Sequence, residues 1–140
     1  MDKEVRVAYC TAREVVCSLG KNIEETYSAM ENYECSMSRF DDGTPLCQID
    51  KSKLDIEGLG DYTFAEQLVI LALESIFEQS KIDLNSDKIA LIISTTKGNI
   101  STINSDFERS YLWAMCDKIG SHFGYKGEII MIVIDAGHGG

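Results

Sequence analysis

Positive charge is scarce in this sequence: 13 lysines and arginines stand against 23 aspartates and glutamates, a net charge of −10. That balance excludes DNA, RNA or an anionic membrane surface as expected partners, because phosphate binding needs a concentrated basic face. Long hydrophobic runs are missing as well. The longest, Ile129-Ile130-Met131-Ile132-Val133-Ile134, is strand-sized and well short of the roughly 18 apolar residues that span a bilayer. Histidine occurs only at His122 and His138, with no H-x-x-x-H and no paired cysteine nearby, so a complete zinc site is not expected. The five cysteines (Cys10, Cys17, Cys35, Cys47 and Cys116) form no C-x-x-C pair, and the charged start Met1-Asp2-Lys3-Glu4 does not read as a secretory signal. Together these predict a cytoplasmic protein whose thiols are free and mostly buried as small hydrophobes. Neither G-x-x-x-x-G-K-[ST] nor G-x-G-x-x-G occurs, which leaves a nucleotide phosphate loop, and with it a bound cofactor, without support.

What is present is an ordinary globular composition, 44% hydrophobic and 26% charged over 140 residues, enough to bury a core without disulfide or metal staples. Val5 to Cys10 alternates apolar with other side chains, the period of a strand. Asn22 is placed to cap a helix, with Glu25 three residues on in the capping-box position and Glu24 and Glu25 at the positive end of the dipole. Ile23, Tyr27 and Met30 give that helix one apolar stripe, ending near Cys35. Residues 36 to 62 are the least regular: Asp41-Asp42-Gly43-Thr44-Pro45 predicts a turn within a small hairpin, Leu46 to Ile49 a short strand.

The strongest helix signal covers Phe64 to Gln79, with Thr63 as N-cap, Glu66 completing the capping box, and Gln67, Glu74 and Glu78 on a polar face. Lys88 to Ser94 is almost continuously apolar and predicts a central strand buried on both faces. Ser101 to Phe123 predicts one long helix or two short ones, with Gly120, Gly124 and Gly127 at its exit, and Ile129 to Ile134 a final strand. Alternating strands and helices predict an α/β fold with a mostly parallel sheet flanked by helices. Two local features carry possible chemistry. His122 precedes Phe123-Gly124 and reads as a helix-end residue favoured by the negative end of the dipole. Thr95-Thr96-Lys97-Gly98-Asn99 follows a strand, where α/β proteins often bind ligands, although a simple turn is the preferred reading.

Val5 to Met30, with Cys17-Ser18-Leu19-Gly20 and Glu25-Thr26-Tyr27, resembles the opening of β-ketoacyl-acyl-carrier-protein synthases of the thiolase-like superfamily. Ser36-Met37-Ser38-Arg39-Phe40-Asp41 resembles that family's Arg-Phe-Asp segment, Phe64 to Leu84 its alanine-rich helix, and Lys88 to Gly98 its buried strand and turn. Phe123-Gly124-Tyr125-Lys126-Gly127 resembles its step into the nucleophile strand. Thr11, where the family favours glycine, and Tyr62-Thr63, where it has Asp-Arg, depart from the pattern. The resemblance implies a thiolase-like N-terminal half over residues 1–134, followed by a glycine-rich tail at 135–140. Aligned on Ala136, Gly137 occupies the slot of the nucleophilic cysteine, and glycine cannot attack a thioester. The resemblance therefore implies a chain that stops where the catalytic cysteine would stand and contains no catalytic residue.

The final residues, Ile132 to Gly140, also resemble the opening strand of zinc-dependent N-acetylmuramoyl-alanine amidases, where the histidine corresponding to His138 is a metal ligand. A zinc ion held by His138 alone would bind weakly, and a flexible tail is the preferred reading. Three functions follow. The leading one is a ketosynthase-like half without condensing activity of its own. The second is an acyl-thioester condensing enzyme completed by a separate ketosynthase chain and served by acyl carrier protein, toward which a −10 surface offers poor steering. The third is a dimerisation module, since the strand before the nucleophile lies at the two-fold interface in the resembled family; a homo-oligomer is expected.

Overall fold

The computed structural model of the protein describes residues 7–54, 56–86 and 88–133. They form two compact units, one from residues 7–54 and 72–81, the other from residues 56–71, 82–86 and 88–133. Among the described residues no helix is long and apolar enough to cross a membrane.

In the first unit, helix α1 (Ile23–Glu31) begins as its sequence dictates: the Asn22 side chain accepts the Glu25 N–H at 2.8 Å. The Glu25 carboxylate reaches back one residue further than a capping box requires, to the Lys21 N–H at 3.0 Å. The helix ends four residues before Cys35. Tyr33 takes the left-handed conformation (φ +56°), and the N–H groups of Tyr33 and Glu34 return to the carbonyls of Met30 and Ala29. This is the hydrogen-bond pattern of a Schellman cap with tyrosine where glycine is usual. Ala29 is the buried residue of α1, while Tyr27 and Met30 of the expected apolar stripe are largely exposed.

Strands β1 (Met37–Arg39) and β2 (Pro45–Cys47) form the expected hairpin, antiparallel with Ser38 opposite Leu46. Its turn is closed by Gly43 at φ +84° and by Asp42 Oδ1 accepting the Thr44 N–H. Residues 7–10 form no strand, and Val7 and Tyr9 are exposed. Alternation marks a strand only where a neighbour supplies hydrogen-bond partners, and no described strand pairs with this segment.

Helix α2 (Phe64–Ser80) gives its first half to the second unit and its second half to the first. In the second unit, strands β3 (Leu91–Thr95) and β4 (Ile129–Val133) pair in parallel, Leu91 opposite Ile129 through Thr95 opposite Val133. Helix α3 (Leu112–His122) connects them after two short 3₁₀ turns at Ile100–Thr102 and Glu108–Ser110. The fold is therefore mixed α/β, but the expected mostly parallel sheet is corrected. The described residues hold one antiparallel and one parallel pair, each of two strands. An apolar run fixes that a segment is a strand and leaves open how many neighbours it meets.

Side chains alternate across a strand, so Leu91, Ile93 and Ile129 share one face of the β3–β4 pair and Ile92, Ser94, Ile130 and Ile132 the other. The first face packs on α3, and Gly120 permits the approach: a Cβ there would stand 2.6 Å from Ile129 Cδ1. Gly120 thus lies buried inside α3, where the sequence pointed to an exit. The exit is Gly124 (φ +62°), whose following N–H, on Tyr125, bonds the Gly120 carbonyl at 2.9 Å. Leu59, Ile70, Ile93, Met115, Cys116 and Ile119 supply the buried apolar side chains of this unit. The opposite face corrects the expectation of a strand covered on both sides: Ile92 is 56% exposed, Ile130 39% and Ile132 47%.

Candidate functional site

Polar chemistry in the second unit concentrates at the start of α2. The capping box forms as expected, the Glu66 carboxylate accepting the Thr63 N–H at 2.8 Å and the Thr63 hydroxyl accepting the Glu66 N–H at 3.3 Å. Glu66 is nevertheless fully buried, and so is Asn99. Asn99 donates its amide to Glu66 Oε1 at 2.7 Å and accepts the Thr63 hydroxyl at 2.7 Å. Arg109 Nη2 completes the cluster at 2.6 Å from Glu66 Oε2, with 28% of its side chain exposed. A buried carboxylate is tolerable only when paired and hydrogen-bonded, and three donors converge on this one. Arg109 Nε is buried without an acceptor among the described residues, a cost the ion pair must offset. Beside this cluster, Gln67 leaves its expected polar face, lying buried with its amide on the carbonyls of Leu59 and Tyr62 at 2.9 and 3.1 Å.

The turn after β3 belongs to the same construction. The Thr95 hydroxyl accepts the N–H groups of Lys97 and Gly98 at 3.2 and 2.9 Å, so the amides that would cradle an anion are already satisfied. Gly98 sits at φ +52°, where an added Cβ would run into the Leu112 side chain. With Asn99 committed to Glu66, this segment is a structural turn, as its sequence suggested. His122 is also where the sequence placed it, on the last turn of α3. Its Nδ1 lies 3.1 Å from the Tyr62 hydroxyl and its ring meets Tyr62 edge-on, while Lys118 Nζ stands 5.0 Å from the Tyr62 ring centroid.

None of the five cysteines is in a disulfide, but the expectation that most are buried is corrected. Cys10, Cys35 and Cys47 are exposed and only Cys116 is buried, because three of these residues fall in loops or at the edges of the hairpin, outside any packed face. Burial, aided by the Asp117 charge, pushes the Cys116 thiol up and makes it a poor nucleophile. Cys17 differs. It lines a 280 Å³ cleft of the first unit with Lys21, Glu25, Asp50 and Lys53. Partial burial raises its thiol pKa, yet hydrogen bonds from Thr26, 3.5 Å away, and from the Leu19 and Gly20 amides outweigh burial and hold it below the ordinary value.

Glu14 is a structural residue that the sequence pattern did not single out. Its carboxylate accepts the Ile23 N–H at 2.6 Å, the Val15 N–H at 2.9 Å and the Ser75 hydroxyl at 2.5 Å. It thereby ties the first turn of α1 to the second half of α2 within one unit. Burial pushes this carboxyl up, and the hydrogen bonds from Ser75, Val15 and Ile23 together bring it below its ordinary value.

Gly137, in the slot of the family's nucleophile, and His138, the one candidate metal ligand, lie outside the described residues, as does the rest of the tail at 135–140. Among the described residues, no group of three or more His, Cys, Asp or Glu side chains could hold a metal ion. What the second unit offers a partner is apolar surface. One patch is the outer face of β3 and β4. The other is a ladder of exposed rings: Phe107 meets Tyr111 edge-on at 5.3 Å, and Tyr111 stacks on Trp113 at 6.0 Å. No protein-family model matches the chain, and neither a curated protein nor a solved structure matches it.

Proposed function

We propose that the chain is a ketosynthase-like α/β module that does not itself condense acyl thioesters, and that it pairs with a second copy of itself across the outer face of β3 and β4. The observation that supports this reading is that face, on which Ile92, Ile130 and Ile132 stand exposed beside Ser94. Parallel strands are normally covered on both sides, and contiguous exposed apolar surface marks an interaction site. Within β3 and β4 the described residues of this face carry no charged side chain, so two copies with a net charge of −10 would meet there over neutral surface. The family resemblance points the same way, since β4 corresponds to the strand at the family's two-fold interface. It also sets Gly137 in the nucleophile's slot, while Cys116, on α3, is buried with its thiol pKa raised.

Two measurements test the proposal. Purified protein incubated with malonyl-carrier protein should release no carbon dioxide; release would overturn the first half. Light scattering across a micromolar dilution series should show a dimer that Ile130→Lys converts to a monomer. A wild-type monomer throughout the series, or a dimer indifferent to the lysine, would overturn the second.

A further inference from the structure

We propose that the Phe107–Tyr111–Trp113 ladder is a docking strip for a basic peptide segment of another protein, separate from the sheet face and independent of the ketosynthase reading. Three rings in continuous contact, with Trp113 61% exposed, form an apolar and π-rich surface. Aromatic faces of this kind attract guanidinium and ammonium groups. The charges around the strip select the same partner. Asp106 precedes the first ring, Glu108 follows it, and Asp117 lies one helical turn after Trp113 on the same side of α3; all three are exposed. The one basic residue between Phe107 and Trp113, Arg109, has its guanidinium on the buried Glu66 carboxylate at 2.6 Å. It therefore does not neutralise the strip.

Beyond Trp113 the surface dips into a 440 Å³ cleft lined by Asp117, Ser121, Tyr125, Lys126 and Ile129. An apolar anchor on the partner would seat there while its lysines and arginines face the carboxylates and rings. An acidic peptide would meet like charge, on a protein already at −10. Electrostatic complementarity of this kind sets which partner is accepted and how fast it arrives.

Trp113 is the chain's single tryptophan, so its emission reports on the strip alone. Titration with an amphipathic lysine–leucine peptide at low salt should shift that emission to the blue, and a glutamate–leucine peptide of the same pattern should not. The double substitution Glu108→Gln, Asp117→Asn, which keeps every ring, should weaken the response about tenfold. Phe107→Ala with Tyr111→Ala should abolish it. No emission change up to millimolar peptide, an equal response to the acidic peptide, or an undiminished response in the charge-neutral variant would overturn the proposal. So would an equal shift with zwitterionic phosphatidylcholine vesicles, which would make the strip a lipid-facing surface.

Discussion

Replacing Arg109 by leucine should be among the most damaging single substitutions in the second unit, although Arg109 is partly exposed and lies in a short 3₁₀ turn. The Glu66 carboxylate it faces is fully buried and has three donors, from Thr63, Asn99 and Arg109, at 2.8, 2.7 and 2.6 Å. Arg109→Leu removes the cation and leaves a buried charge on two neutral donors. Breaking a buried ion pair costs about 3–5 kcal/mol. The 28% exposure of the Arg109 side chain admits some water, which places the cost near the lower end, ~3 kcal/mol. For a chain of this length that is a fall of roughly 10 °C in the unfolding midpoint. Urea unfolding followed by far-UV circular dichroism and by Trp113 emission reads it directly. The companion variant, Glu66→Leu with Arg109→Leu, leaves no buried charge and should recover about half of the loss or more. A single-variant cost below about 1 kcal/mol, or a double variant whose cost is the sum of the singles, would refute the claim that the two groups form one desolvated unit.

Three further outcomes follow from local geometry. Tyr33, at φ +56° and 95% exposed, carries the cost of a left-handed residue for no packing return; Tyr33→Gly should stabilise the first unit by about 0.5–1 kcal/mol, and an unchanged or lower thermal midpoint would contradict this. Gly98→Ala should cost about 2 kcal/mol or more, because its positive φ and the Leu112 side chain both exclude a Cβ; an unshifted denaturant midpoint would count against it. The Glu14 carboxyl is held below its ordinary value of 4.5 in the folded protein, so the stability it contributes is fully present above that pH and is lost as pH falls through the lower folded value. Unfolding midpoints measured from about pH 5 down to about pH 3 should fall more steeply for the wild type than for Glu14→Gln; parallel curves would remove Glu14 from the account.

Features encoded by neighbouring residues were legible in the sequence. The Asn22 and Thr63 caps, the Asp42-Gly43 turn, the start of α2, the placement of β4 and the helix-end position of His122 each depend on a few adjacent side chains. Features decided by distant partners were not legible. Glu66 reads only as a capping-box carboxylate until Asn99 and Arg109 arrive from more than thirty residues away, and Glu14 reads as one acid among 23 until Ser75 meets it. The alternation at Val5–Cys10 promised a strand that the described residues 7–10 do not form. The apolar run before Thr95 promised two covered faces and met one. Of the candidate surface, the isoleucines of β3 and β4 were visible as apolar residues, but which of them would stand exposed depended on strand number, which hydrophobic period does not encode.

The Glu66 cluster has a consequence for how the chain folds as well as for how firmly it stays folded. Its members are separated by 36 residues between Thr63 and Asn99, 33 between Glu66 and Asn99, and 43 between Glu66 and Arg109. The intervening chain must close before any of these bonds forms, and loop closure is costly until contacts reward it. Until all the partners arrive, the carboxylate is better left in water. The cluster is therefore expected to assemble after the rate-limiting barrier and to act as a latch on the finished unit. Substitutions there should accelerate unfolding and leave the folding rate nearly unchanged, and a chevron plot of Arg109→Leu in which the folding arm moves instead would place the latch in the folding nucleus.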